Sequence, residues 1–291
     1  TLEPCAHQAR TGPCCDALIQ AGIGRVVASI EDPNPLVGGQ GFARLRAAGI
    51  DVQVGPGAQQ SRELNIGFFS RMVRGMPWVR MKAAASLDGV TALANGASQW
   101  ITAPAARADG HAWRARACAI LTGIGTVRDD DPELTVRLVP AERQPLRVLV
   151  DSRLEVGLDA KLLRGGRLLV ACAVDNPGKE AELRDRGCEI LKLADARGKV
   201  DLPALMRELA AREINELHVE AGHRLNGSLL HEGCVDELLV YLAPSLLGDA
   251  AGMFALPPLQ TLEDRVRLRF HSVERVGDDL RILARPAEPA P

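Results

Sequence analysis

The chain has 291 residues, of which 46% are hydrophobic, 25% are charged and only 3% are aromatic. This length suggests about two globular domains with cores built mainly from aliphatic side chains. A formal net charge of −2 and the lack of an apolar run of roughly 20 residues argue against nucleic acid and against a membrane segment. Four scattered cysteines, expected to be reduced core residues, favour the cytoplasm: Cys118, Cys172, Cys188 and Cys234.

The first 75 residues predict a small α/β domain. Predicted helices cover residues 14–21, 42–48 and roughly 60–74, and predicted strands cover residues 25–30 and 50–54. The run Gly75-Met76-Pro77 interrupts this pattern and predicts a domain boundary.

Cys5 and Cys14 resemble two ligands of a zinc site. A Pro-Cys step followed by a second cysteine is the downstream half of a zinc deaminase signature, whose upstream His-x-Glu supplies the third ligand and the proton shuttle. We expect Cys14 to begin a helix, where the helix dipole favours a thiolate. No His-x-Glu precedes Cys5, so we expect two of three Zn²⁺ ligands and no catalytic glutamate, with Thr1 internal to a longer protein. The alternative is that both cysteines are incidental thiols.

Beyond the boundary, residues 76–285 predict a second α/β domain. Predicted strands cover 78–86, 119–122, 146–151, 168–173, 189–193, 217–220, 237–243, 267–276 and 280–284. Predicted helices cover 104–115, with Thr102 as N-cap, 179–186, 202–212 and 225–232. Their alternation predicts a mostly parallel sheet covered on both faces. The proline-rich residues 286–291 predict a disordered tail.

Two glycine-containing turns are candidates for holding a dinucleotide. One follows the strand over 119–122 at Gly123, and the other follows the strand over 217–220 at Gly222. Backbone N–H groups and close approach through glycine suit a pyrophosphate. Neither turn is the G-x-G-x-x-G fingerprint, so an ordinary strand–helix turn remains the alternative.

Ser152 and Arg153 follow the strand over 146–151. A hydroxyl and a guanidinium at the end of a strand suit a ribose 2′-phosphate, whereas a carboxylate would suit a free hydroxyl. The pair therefore favours NADPH over NADH. The alternative for Arg153 is an exposed arginine in a turn.

Several motifs in one order resemble the bifunctional riboflavin-biosynthesis deaminase/reductase family. They cover residues 1–7, 12–17 and 31–35 in the first domain, and 82–89, 98–102, 129–137 and 219–222 in the second. The resemblance extends over nearly the whole chain except the tail. It implies a truncated cytidine-deaminase-like domain followed by a dihydrofolate-reductase-like α/β domain with a mostly parallel sheet.

The resemblance also implies two reactions on a phosphoribosyl pyrimidine. The intact protein would deaminate 2,5-diamino-6-ribosylamino-4(3H)-pyrimidinone 5′-phosphate and then use NADPH to reduce 5-amino-6-(5-phosphoribosylamino)uracil to the ribitylamino product. Positions similar to cofactor contacts are Ala84, Trp100, Thr126, Asp130, Gly222, His223, Arg224, Leu225, Asn226, Gly227 and Ser228. Positions similar to substrate contacts are Ser98, Arg114, Leu134, Arg137 and Glu220, with the two arginines for the 5-phosphate.

Reduction of the ribose needs a proton for the leaving ring oxygen, and Lys82 and Asp130 are the candidate donors. Instead of donating a proton, Lys82 could form a salt bridge at the end of a strand, and Asp130 could cap a helix or turn. Two other functions remain open: a reductase whose first domain is a non-catalytic remnant, and a non-catalytic nucleotide-binding or assembly module. We expect the protein to be a homo-oligomer.

Overall fold

The structure is a computed structural model that describes residues 2–8 and 11–287. It divides into two compact units, residues 1–76 and 77–291. Thr1 of the first motif and residues 288–291 of the predicted tail lie outside the described residues. None of the helices in the described part of the chain is long and apolar enough to cross a membrane.

The first unit contains a two-stranded parallel sheet with helices between and after its strands. The strands are β1 (Arg25–Ala28) and β2 (Asp51–Val54). The helices are α1 (Cys14–Gln20), α2 (Gln40–Ala47), α3 (Ala58–Leu64) and α4 (Ile66–Arg74). The single helix predicted over 60–74 is wrong, because the chain bends at Asn65, whose side-chain amide donates to the Ser61 carbonyl.

Glu3 is a buried carboxylate that accepts hydrogen bonds from the backbone at the start of α2. Its Oε1 accepts from the N–H groups of Gly41 at 2.7 Å and Phe42 at 3.2 Å, and its Oε2 from that of Gly39 at 2.9 Å. A Cβ on Gly41 would lie 1.8 Å from the Pro4 carbonyl oxygen. Glu3 therefore satisfies N–H groups that a helix leaves free at its first turn. These hydrogen bonds tie the segment before Cys5 to the start of α2.

Glu3→Ala is expected to destabilise the first unit by about 3 kcal/mol, because it removes a charged acceptor from buried N–H groups. Hydrogen exchange of the α2 amides in the full chain, measured with increasing urea, reports this loss. Asp51→Ala is the matched control, since Asp51 is paired with Arg25 in solvent and such pairs contribute little. Unchanged protection of α2 in Glu3→Ala would contradict the expectation.

A nine-stranded sheet forms the centre of the described part of the second unit, in the order β12-β13-β10-β3-β9-β5-β6-β7-β8. From β10 to β8 every neighbouring pair is parallel, and β13 and β12 add to the β10 edge as an antiparallel hairpin. This mostly parallel sheet confirms the predicted α/β fold class. The strands are β3 (Trp78–Ser86), β5 (Ala119–Gly123), β6 (Leu146–Val150), β7 (Leu168–Cys172), β8 (Cys188–Lys192), β9 (Glu216–Val219), β10 (Glu237–Ala243), β12 (Leu268–Val276) and β13 (Asp279–Pro286).

Helices follow most of the parallel strands. They are α5 (Pro104–Arg116), α6 (Ile124–Asp130), α7 (Pro177–Asp185), α8 (Leu202–Ala211) and α9 (His223–His231), with a 3-10 turn at Lys161–Leu163. A short pair, β4 (Val90–Ala92) and β11 (Ala251–Gly252), is antiparallel. Strands β5 and β7 are buried along their whole length, as expected where a sheet is covered on both faces.

Two local predictions are wrong. Thr102 does not cap α5, because the Asp279 carboxylate accepts the hydrogen bond of Ala103 N–H at 2.7 Å. The predicted disordered tail begins too early, since Pro286 ends β13 and Ala287 N–H donates to the Arg267 carbonyl.

Candidate active site

A cavity of about 400 Å³ opens beside α5 and strands β3 and β10 of the second unit. Of the residues predicted to act in the site, it brings together Lys82, Trp100, Arg114, Arg137 and Glu220. Lys82 is supplied by β3, Arg114 by α5, and Glu220 by the segment that follows β9. Ligand sites of parallel sheets commonly form beyond the carboxyl ends of the strands.

Arg114 and Glu220 form a two-point ion pair inside this cavity. Arg114 Nη2 lies 2.8 Å from Glu220 Oε2, and its Nε donates to Oε1. Burial alone would raise the pKa of Glu220, but the charge and hydrogen bonds of Arg114 hold it well below its usual value. Arg114 Nη1 also donates to the Thr135 carbonyl at 3.1 Å. Arg114 is therefore engaged by the protein rather than free for a phosphate.

Lys82 faces the same cavity without a partner. Among residues 2–8 and 11–287, its ammonium makes no hydrogen bond and no ion pair. Burial lowers the pKa of Lys82, and the carboxylates of Glu220 and Asp130 partly oppose that shift. The alternative of a strand-end salt bridge is wrong, because the Lys82 ammonium forms no ion pair with the carboxylate of Glu220 or of Asp130, although both are near enough to affect its pKa.

Two more of the predicted residues, Ser98 and Asp130, meet at the end of α6. Ser98 Oγ donates to Asp130 Oδ1 at 3.2 Å, and both side chains are exposed or nearly so. Trp100 is 70% exposed, and the Arg107 guanidinium lies 4.5 Å from its ring centre. The helix ends at Asp131 in the left-handed region, so Asp130 is not its cap.

Two histidines in the site were missed from the sequence. His111 Nδ1 accepts from the backbone N–H of Arg137 at 3.1 Å, and its Nε2 lies 3.4 Å from Arg114 Nη1. His218 is fully buried, and its Nε2 lies 3.2 Å from Glu220 Oε1 but not in hydrogen-bond alignment. Spacing carried a signal for both: His111 is one helical turn from Arg114, and His218 is two strand positions before Glu220.

His111 is expected to make stability depend on pH. Burial and the nearby Arg114 lower its pKa to about 4, whereas an unfolded histidine titrates near 6.5. The unfolded chain thus binds more protons between these values, so the stabilisation is complete above about pH 6.5 and is lost as pH falls towards 4. His111→Gln should remove this dependence, on the order of 3 kcal/mol, in urea titrations from acid to neutral pH. His231→Gln, at an exposed position, should retain it; equal curves for wild type and His111→Gln would contradict the assignment.

The two glycine turns predicted for a dinucleotide lie together. A Cβ on Gly222 would lie 3.7 Å from Thr126 Oγ1, and a Cβ on Gly123 would lie 2.9 Å from the Leu225 side chain. Gly222 is the exposed N-cap of α9, and the N–H groups that follow it have no acceptor within that helix. This arrangement fits the pyrophosphate of a dinucleotide.

Four of the remaining predicted positions are instead used by the fold. Asn226 is buried and its Nδ2 donates to the Met253 carbonyl, and a Cβ on Gly227 would lie 2.2 Å from the Ala255 carbonyl oxygen. Ser228 Oγ donates to a carbonyl of its own helix. The Leu134 side chain is buried in the apolar core and does not line the cavity that contains Lys82.

Ser152 also has a structural contact. Its Oγ accepts a hydrogen bond from Val200 N–H at 3.1 Å, whereas the neighbouring Arg153 is exposed. Ala84 lies on β3 two positions beyond Lys82, on the same face of the sheet. Its half-buried side chain packs against the cluster that contains Tyr241.

In the first unit, Cys5 and Cys14 lie together. Cys14 N–H lies 3.4 Å from Cys5 Sγ. The side-chain contact with Cys5 raises the pKa of Cys14. Among residues 2–8 and 11–287, no group of three or more histidine, cysteine or acidic side chains is placed to hold a metal ion. The described residues therefore do not complete a zinc site, which needs three protein ligands.

Residues 77–282 match the family model of the RibD C-terminal domain. The chain belongs to the RibD family. It is 45% identical to the riboflavin biosynthesis protein RibD of Escherichia coli (strain K12) over 294 residues, which cover 96% of this chain and 79% of that protein. About a fifth of that RibD protein thus lies outside the match.

Solved RibD structures share the architecture of this chain. RibD of Acinetobacter baumannii superposes with a TM-score of 0.89 at 38% identity, over 99% of this chain and 80% of that one. The Thermotoga maritima diaminohydroxyphosphoribosylaminopyrimidine deaminase/5-amino-6-(5-phosphoribosylamino)uracil reductase gives 0.86 at 29% identity, over 99% and 78%. The dihydrofolate-reductase-like arrangement of the second unit agrees with these relatives.

Proposed function

We propose that the second unit is an NADPH-dependent reductase of riboflavin biosynthesis. Its substrate is 5-amino-6-(5-phosphoribosylamino)uracil, the compound that names the reductase activity of the Thermotoga maritima relative. The observation that carries the proposal is the unpaired Lys82 beside the Glu220–Arg114 pair in a ligand-sized cavity. An unpaired, half-buried cation beside a carboxylate in a cavity supports a proton donor rather than a non-catalytic nucleotide-binding module.

The cofactor would lie across the paired glycine turns. The free N–H groups at the start of α9 would bind its pyrophosphate, with Gly222 allowing close approach. Ala84, Trp100, Thr126 and Asp130 would contact the nicotinamide end, as the family resemblance implies. When bound, NADPH supplies the hydride.

The substrate would be held by groups on both sides of the cavity. Arg137 is the better candidate for the 5-phosphate, because its guanidinium is half-exposed and, among the described residues, its one ion pair is with the exposed Glu133. The Glu220 carboxylate, oriented by Arg114, would accept hydrogen bonds from ribose hydroxyls. Ser98, together with Asp130, would contact the ribose or base.

Lys82 would act as the proton donor. Reduction forms a C–H bond at ribose C1 while the bond from C1 to the ring oxygen breaks, and the ring oxygen takes up a proton. A desolvated ammonium with a lowered pKa gives up a proton more readily than one in water. Asp130 and Glu220 would keep Lys82 protonated until the ring opens.

The first experiment is a titration of the full chain with NADPH, in which tryptophan fluorescence reports binding. Oxidation of NADPH is then measured in a single turnover with saturating substrate. Binding that is lost in Gly222→Val, and retained in Gly178→Val at a helix start elsewhere, would support the assignment. Failure of NADPH to bind at millimolar concentration would overturn it.

For the first unit, the Thermotoga maritima relative is named as a deaminase, and we propose that Cys5 and Cys14 are two ligands of the corresponding zinc site. Two thiolates are fewer than the three protein ligands of a catalytic site, so no deaminase step is derived for this chain. Zinc titration of the full chain against a chelator tests the pair. Cys5→Ser should weaken zinc binding, whereas Cys188→Ser, in the core of the second unit, should not.

We also propose that the protein is a homo-oligomer that pairs through β12. This edge strand is exposed along most of its length, with Phe270 72% and Val273 53% exposed, and exposed apolar edge strands pair with other chains. Mass measurement in solution should show a multimer that Phe270→Lys dissociates and the neighbouring His271→Lys does not. A wild-type monomer at micromolar concentration would overturn the proposal.

A further inference from the structure

A second cavity, of about 520 Å³, lies at the opposite end of the parallel strands. Its lining includes Cys118, Leu146 and Arg167, which stand at the amino ends of β5, β6 and β7. Glu220 and Gly222, by contrast, follow the carboxyl end of β9. This cavity is therefore separate from the candidate active site.

Four arginines and no carboxylate line the second cavity: Arg147, Arg164, Arg167 and Arg212. Arg212 is neutralised by Glu189 and Glu208. The side chains of Arg164 and Arg167 are exposed and make no hydrogen bond or ion pair with the residues that the structure describes. Asp131 is near enough for Arg164 to lower its pKa, but it is already bound by Lys161.

Arg147 adds a fixed positive charge to the wall. It is only 3% exposed, and its guanidinium donates to the carbonyls of Leu162 at 2.7 Å and Gly166 at 3.0 Å, and to that of Gly165. Gly165 and Gly166 have φ values of 65° and 76°, which turn their carbonyls around the guanidinium. Within the described residues no carboxylate pairs with Arg147. Carbonyl dipoles satisfy its donors, and Glu133 is near enough to act on its charge without forming an ion pair with it.

We propose that this cavity binds a small molecule that bears a phosphate group. Arg164 and Arg167 would contact the phosphate oxygens, and Arg147 would stabilise the bound anion through its field. Leu134, Leu146 and Ile214 also line the cavity, so the rest of the ligand has an apolar face to contact. The volume is within the range of small-molecule sites.

The test uses inorganic pyrophosphate and isothermal titration of the full chain. Arg137→Ala serves as the background, which removes one candidate phosphate-binding side chain of the active site; pyrophosphate binding at the start of α9 is common to all the variants compared and does not affect their difference. On this background, Arg164→Ala/Arg167→Ala should weaken binding at least about ten-fold, which is 1.4 kcal/mol. Arg186→Ala/Arg207→Ala makes the same change of charge at exposed positions elsewhere, and its dissociation constant should stay within about two-fold of the background.

Cys118 provides a readout of position. Its thiol is half-buried in the lining of the cavity, whereas Cys14 is exposed in the other unit. Pyrophosphate should slow the alkylation of Cys118 by iodoacetamide and should not change that of Cys14. Peptide mass spectrometry measures alkylation at each cysteine. Absence of pyrophosphate binding at millimolar concentration, or binding that Arg164→Ala/Arg167→Ala does not weaken, would overturn the proposal. NADPH binding is measured on the same variants, so failure here is distinguishable from failure of the reductase assignment.

Discussion

Lys82→Met is expected to lower kcat for the reduction by about a hundred- to ten-thousand-fold, the usual contribution of a positioned general acid. Methionine keeps the length and the apolar stem of the side chain but cannot donate a proton. Because Lys82 makes no ion pair with the described residues, its loss leaves no carboxylate newly unpaired. The dissociation constant for NADPH should therefore change little, and single-turnover absorbance measurements separate the two effects.

The same substitution should not destabilise the fold. Burial lowers the pKa of Lys82, which means that the folded state disfavours its charge. Replacing that charge by an apolar group should leave the free energy of unfolding in urea unchanged or raise it. Lys179→Met, at a half-buried position on α7 outside the cavity, is the matched control and should keep full activity. Full single-turnover hydride transfer in Lys82→Met would refute the role of this residue as proton donor.

Glu220→Gln is expected to have the second large effect, on both stability and turnover. The substitution leaves the largely buried guanidinium of Arg114 without its carboxylate, and breaking a buried pair on one side costs about 3–5 kcal/mol. It also removes a charge that opposes the lowering of the Lys82 pKa by burial. We expect lower kcat, a higher KM for substrate and a reduced midpoint in urea.

The dependence on pH distinguishes this effect from a simple packing defect. The pKa of Glu220 lies well below its usual value, whereas an unfolded glutamate titrates near 4.3. The ion pair therefore contributes stability that is complete above about pH 4.3 and is lost as pH falls through the folded-state value. Glu220→Gln should lack this acid-dependent part. Glu133→Gln, which removes an exposed partner of Arg137, should keep it, and identical acid profiles for wild type and Glu220→Gln would contradict the pairing.

The strands of the second unit were predictable because each is a short apolar run between turn residues. The bounds of β3 and β10 agree with the prediction at both ends. Strand prediction depends on local sequence alone, and buried parallel strands give the strongest local signal. The order of the strands in the sheet does not follow from such runs.

The contacts of the site were not predictable in the same way. Arg114 and Glu220 are separated by 106 positions, and only the pairing of β3 with β9 brings Glu220 near Lys82. Gly123 ends β5, and the Leu225 side chain packs where a Cβ would be, a contact with a residue far along the chain that local sequence does not reveal. The arginine-lined cavity gave no motif at all, since its residues come from the amino ends of several strands and from separate loops beside them.

The segment from Leu134 to Arg137 belongs to both cavities. Leu134 and Thr135 line the second cavity, and Arg137 lines the first. The Thr135 carbonyl also holds Arg114. A ligand that shifts this segment from one side alters the surface offered to a ligand on the other side. If an anion in the second cavity changes the affinity for substrate by some factor, the substrate must change the affinity for that anion by the same factor, because the two effects are thermodynamically linked.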